Sequence, residues 1–254
     1  MMKFSSEETH KKRIQHPKRL IIIVLGALIV LAGAVYGVLS YQEWAQLKDR
    51  SEAASTALKE PIDETLGAEA PESTPVKNID TIISDFEKNY GENPCAISGL
   101  YEWQLIIPAL AERQAACQEH FKNNLTVIET LKPLSAFLKD QATAATLITE
   151  TIDATKTPTD YAAASDQWKK LTDLANLPDD AFAPISVEIS SKAAAIAATY
   201  TALAASLKNE DKAAFDTAVE QLTTSYDALK DISTPVIAKR DALTKAFIEA
   251  YEAL

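Results

Sequence analysis

The side chains with most chemistry to offer are two cysteines, three histidines and 36 carboxylates. Cys95 and Cys117 lack the CxxC spacing of a redox pair, and an even pair in an oxidising compartment is most simply a structural disulfide. Two buried free thiols or a reactive pair are the alternatives. A bridge restricts the chain between them. A straight helix from Gly99 to Cys117 would hold its ends about 27 Å apart at 1.5 Å per residue, and the stretch from Cys95 to Gly99 recovers at most about 14 Å. Bridged Cα atoms lie within about 7 Å of each other, so the chain must turn between Gly99 and Cys117. Ile107-Pro108 is the natural place, because proline disfavours helix in the residue before it and suits the first turn of a new one. The expectation is a short helical segment before Pro108, a break there, and a longer helix carrying Cys117 inward.

His10 and His16 lie in a basic N-terminal tail, which leaves His120 as the base of any Ser-His-Asp or Cys-His arrangement. Beside Glu119 in a polar helical stretch, His120 reads as a solvated side chain. Bundle metal sites use Glu-x-x-His pairs, and the residue three before His120 is Cys117. The glycines beyond residue 40 are Gly67, Gly91 and Gly99, too scattered for a phosphate-cradling loop, and HExxH, GxSxG and SxxK are missing. Nothing selects a glycosidase-like carboxylate pair, whereas Asp179, Asp180, Glu210 and Asp211 suit the positive ends of helix dipoles. Asn124-Leu125-Thr126 is a glycosylation sequon, with meaning only in a eukaryotic secretory pathway. No catalytic, cofactor or metal residue is assigned, and the chain is read as a non-enzyme. For binding, the first place to look lies between Tyr90 and Pro108, where Gly91, Pro94 and Gly99 break the helical rhythm. Tyr90, Tyr101 and Trp103 are its candidate surface, with core packing as the competing role.

Charge divides the chain. Six Lys or Arg against Glu7 and Glu8 give residues 1–19 a net +4, which leaves −15 of the formal −11 for the remainder. Such an acidic surface repels nucleic acid and anionic lipid or polymer, which are poor partners for the outer domain, and no nucleic-acid partner is expected. From Leu20 to Leu39 run twenty uncharged residues, thirteen of them Leu, Ile or Val. They span about 30 Å as a helix, the thickness of a bilayer core. The basic cluster KKRIQHPKR before this run places the N-terminus in the cytoplasm of a single-pass plasma-membrane protein. Tyr36, Tyr41 and Trp44 fall where an outer aromatic belt belongs. The rival reading is a signal peptide cleaved after Ala34, although the apolar run continues past that point. Gly33 and Gly37 form a GxxxG through which two membrane helices could pack into a homodimer, plain lipid exposure being the alternative.

The positioning elements follow from punctuation and periodicity. Residues 1–19 read as tail, 20–40 as transmembrane helix, 41–76 as juxtamembrane helix and linker, and 77–254 as an extracytoplasmic antiparallel bundle of about four to six helices. The juxtamembrane helix is expected to stop at Glu60 before Pro61, and Pro61 to Pro75 to be a solvated linker that lets the domain stand off the membrane. Thr74-Pro75, Thr157-Pro158 and Thr234-Pro235 read as N-caps followed by Pro at N1, with Asp160 completing a capping box on Thr157. Core stripes run through Ile196, Tyr200, Leu203 and Leu207, and through Phe215, Val219, Leu222, Tyr226 and Leu229. Leu134, Leu138, Ala145, Ile148 and Ile152 form another, as do Tyr161, Trp168 and Leu171, and Leu243, Phe247 and Leu254. With anchor, linker and no catalytic motif, the expected role is to bind a protein or envelope component or to scaffold an envelope complex. An extracytoplasmic sensing subunit is the second reading, and a carboxylate-dependent hydrolase the weakest.

Overall fold

A computed structural model describes residues 17–66, 76–97, 108–176 and 181–254. Among the described residues every regular element is helical: α1 Pro17–Thr56, α2 Lys59–Leu66, α3 Val76–Tyr90, α4 Pro108–Thr155, α5 Tyr161–Lys170 with a 3-10 turn Leu171–Asn176, α6 Ala183–Lys208, α7 Lys212–Lys230 and α8 Ser233–Tyr251. The scarcity of glycine and abundance of alanine make this the cheap backbone state.

α1 changes character along its length. Leu28, Ile29, Val30 and Leu31 are four consecutive positions between 57 and 71% exposed, so no face of this stretch is covered by protein. From Leu47 onward one face is buried, through Leu47 and Ala54. The expected end at Glu60 is corrected: α1 stops at Thr56, whose hydroxyl donates back to Glu52 O, and Pro61 sits in the first turn of α2, where its missing N–H costs nothing. The linker expected from Pro61 is likewise helical as far as Leu66. Its acidic composition hides Ile62, which lies one turn from Leu58 and is buried with it against Ile79, Val127 and Leu131. Residues 67–75, with Thr74-Pro75, lie outside the described residues.

α4 is the spine. Its 48 residues extend for about 72 Å, and three apolar clusters follow one another along it. The first joins Leu47, Ile97 and Leu110. The second gathers Leu58, Ile62, Ile79, Ile82 and Phe86 with Val127, Leu131, Leu134 and Phe247. The third packs Phe137 and Ala144 with α5, α6 and α7. α3 runs opposite to α4, since Asp80 meets Ser135 and Lys139 at 2.6 and 2.8 Å while Phe86 stacks near Phe121. α8 also runs opposite, from Val236 in the third cluster to Phe247 in the second. Pro133 lies inside α4 without ending it. Leu131, Leu134 and Phe137 are fully buried around it, and burying each such side chain stabilises by about 1.5–3 kcal/mol, which offsets the roughly 3 kcal/mol cost of an interior proline.

The caps differ from expectation in an instructive way. Asp160 itself caps α5, accepting from Ala162 N at 2.8 Å and Ala163 N at 3.3 Å, and Thr157 lies outside the helix. Thr234 falls within the first turn of α8, which has no side-chain cap. At the start of α5 the carboxylate outcompetes the hydroxyl because it also meets the helix dipole. Asp211 caps α7 through Ala214 N at 3.0 Å. Of the stripes, Ile196, Tyr200 and Leu203 are buried, whereas Leu207 and Val219 are exposed and Ala144 takes the buried place expected for Ala145.

The turn from α6 to α7 holds Glu210 at φ 53°, in the left-handed region. Asp211 N donates to Ser206 O and Glu210 N to Leu207 O, a Schellman closure whose αL position normally takes glycine. Glu210→Gly relieves the Cβ strain and is expected to raise unfolding stability by about 0.5–1 kcal/mol, read as a higher midpoint in urea. A lower midpoint would show that the Glu side chain contributes more than the strain costs.

Candidate functional site

Cys95 and Cys117 are joined, with Cα atoms 5.7 Å apart and both residues fully buried. The chain-entropy effect of closing this loop is about 3 kcal/mol. Asn93 Oδ1 accepts from Cys95 N at 2.9 Å, and Gln114 Nε2 donates to Cys95 O at 3.4 Å, so the loop is fixed to the first turns of α4. That helix begins at Pro108 and carries Cys117 inward, as the spacing requires. The segment before Pro108, with the expected short helix, Tyr101 and Trp103, lies outside the described residues.

Tyr90 is half-buried at the end of α3, stacked on Phe86 at 5.3 Å. It lines a recess of about 460 Å³ with Pro61, Asn78, Asp85 and Asn89. Gly33 and Gly37 are exposed, and a Cβ at either would meet no heavy atom within 4 Å. His120 offers its backbone oxygen to Asn124 Nδ2 at 3.0 Å. Asn124 is only 1% exposed, and its amide also donates to Ala54 O. The sequon therefore has no reachable acceptor in the folded chain. No group of three His, Cys, Asp or Glu suited to a metal occurs among the described residues.

A second concavity is one the sequence did not announce. A groove of about 430 Å³ opens between α4, α6 and the corner from α7 to α8. Ala144, Ile148 and Ile152 form its α4 wall, Phe182 and Ile189 its floor, and Tyr226, Val236 and Ile237 its far side. Ile237 remains 47% exposed there. The polar side chains on its lining are Gln141, Lys230, Ser233 and the Tyr226 phenol, and Lys230 is paired to Asp227 at 2.8 Å. These side chains come from helices far apart in sequence, so no local spacing could reveal them.

A hydroxyl cluster closes one end. Trp168 Nε1 donates to Thr155 Oγ1 at 3.0 Å, Tyr200 OH donates to Thr155 O at 3.1 Å, and the Tyr200 and Tyr226 hydroxyls are 3.1 Å apart. It ties the C-terminus of α4, whose last carbonyls lack helical partners, to α5, α6 and α7. Burial, then the hydrogen bond with Tyr226, pushes the Tyr200 phenol well above its ordinary value of 10.0. It stays neutral across the physiological range, and its hydrogen bonds stabilise the groove wall.

One helix near the N-terminus is long and apolar enough to cross a membrane. No family model, curated protein or solved structure matches the chain.

Tyr200→Phe leaves Thr155 O without a donor in a buried place, and a loss of about 1–3 kcal/mol is expected at neutral pH. Because the folded phenol titrates above the unfolded one, this contribution is fully present below pH 10 and falls as pH rises beyond it. Urea unfolding of both forms from pH 7 to 11 should show the gap narrowing only above pH 10. A gap independent of pH would contradict the assigned network.

Proposed function

We propose that this chain is a single-pass plasma-membrane protein, with residues 1–19 in the cytoplasm and residues 40–254 outside, whose non-enzymatic helical bundle binds a protein or envelope component. The observation that carries this reading is the continuity of α1. Its exposed apolar stretch at residues 28–31 passes without interruption into a helix face buried at Leu47 and Ala54. A soluble core helix would be covered along the first stretch, and a dispensable leader would not supply the second. The disulfide fits an oxidising compartment, and the basic cluster before Leu20 fits the cytoplasmic side.

Such a mount holds the bundle at a fixed pose above the bilayer. The partner surface we assign is the groove around Ile148, Phe182 and Ile237, an apolar concavity suited to aliphatic or aromatic side chains of a protein. The acidic surface disfavours nucleic acid. Gly33 and Gly37 offer a backbone-exposed face to lipid or to a second copy. Helix continuity also favours the second reading, a sensing subunit, because a rigid rod couples bundle to tail. A tail of 19 residues would then act through a cytoplasmic partner.

Two outcomes are expected in intact membranes. Protease added to spheroplasts digests the bundle before lysis, and survival until lysis refutes the orientation. A photo-crosslinking residue at Ile237 gives a discrete protein adduct that the same residue at exposed Glu129 does not. Equal labelling at both positions, or none at Ile237, refutes the assigned surface.

A further inference from the structure

A second recess lies at the other end of the spine, between α1 and the start of α4. It has a volume of about 320 Å³ and is lined by Ser40, Tyr41, Trp44, Ala109 and Leu110. Its far wall is rigid, because Leu110 packs on Leu47 and Ile97, and Ile97 follows closely on the bridged Cys95. We infer that this recess binds one glycerophospholipid of the bilayer, an inference that rests on the reading of α1 as a membrane span.

Depth, walls and polar groups agree on that ligand. Ser40 directly follows Leu39, the last residue of the uncharged run, and Trp44 lies about 6 Å further along α1 at 1.5 Å per residue. That interval is the glycerol and headgroup layer of a bilayer, some 5–7 Å on each side of the hydrocarbon. Leu110, Ala109 and the ring of Trp44 form an apolar wall for the first methylenes of an acyl chain. Ser40 Oγ is buried with no hydrogen-bond partner, and at this depth an ester carbonyl is the acceptor its hydroxyl would meet. The Arg113 guanidinium stands 4.7 Å from the centroid of the Trp44 ring, one turn beyond Leu110 on α4. A cation there matches a phosphate. Tyr41 stacks near Trp44 with centroids 6.1 Å apart and is 69% exposed, amphipathic as interfacial rings are. A free anion would leave the apolar wall unused. The recess opens beside the span, so the occupant with access is a lipid of the same leaflet.

The full chain is reconstituted in phosphatidylcholine vesicles doped with a phosphatidylcholine that carries a diazirine on the acyl chain near its ester. After irradiation, peptide mapping is expected to place adducts on both residues 40–44 of α1 and residues 109–113 of α4. Arg113→Glu is expected to lower the α4 adduct several-fold while adducts on residues 28–38 stay unchanged. Adducts confined to residues 28–38 overturn the lipid site and leave the span intact. Adducts on neither segment overturn both. An α4 adduct undiminished in Arg113→Glu overturns the phosphate contact.

Discussion

The burial of the upper end of α1 against α4 is the constraint on which the rest depends. Leu47 packs with Leu110 in one cluster, and Leu58, just past the end of α1, packs with Val127 and Leu131 in the next, each large side chain stabilising by about 1.5–3 kcal/mol. A polar contact fixes the register. Ala54 O lies in the last turn of α1, where carbonyls lack helical partners, and Asn124 Nδ2 donates to it from the centre of α4. Arg50 adds Ala96 O at 3.3 Å and Glu43 at 3.7 Å, so the disulfide loop is held on the same face. The apolar helix near the N-terminus and the helices that follow it are thereby joined through α1.

From that junction α4 carries the structure outward. Pro108 starts level with the aromatic pair Tyr41 and Trp44, and the groove around Ala144 lies near the other end, about 50 Å further along the helix. Stability is distributed along this rod in three clusters, and α8 returns across two of them, with Asn123 Nδ2 donating to Ala253 O at 3.1 Å and Tyr251 bonded to Asp63. Burial, then the Asp63 carboxylate, pushes the Tyr251 phenol up to about 12. Both phenols are held neutral by burial and by their hydrogen bonds to neighbouring helices.

What the sequence made legible was whatever depends on neighbours in sequence. The apolar run, the helix start at Pro108, the Asp211 cap and the Ile196, Tyr200, Leu203 stripe are all local patterns. The misreadings arose where a distant partner decided. Leu58 and Ile62 sit in an acidic stretch that resembles a linker, and only the faces of α3 and α4 give them a place to be buried. Thr157 lost the cap to Asp160, three residues further on, a choice that spacing alone left open. The groove was invisible for the strongest reason: its walls come from four helices and share no motif.

A rigid mount makes one demand that no flexible tether would meet. With nitroxides attached at Leu31→Cys in the span and Thr126→Cys on exposed α4, pulsed dipolar spectroscopy of the reconstituted chain measures the pose of bundle against membrane helix. A single narrow distance distribution is expected, unchanged when the lipid composition is varied. A broad distribution, or several populations, would show a hinge between span and bundle and would contradict the continuity of α1 on which the functional reading stands.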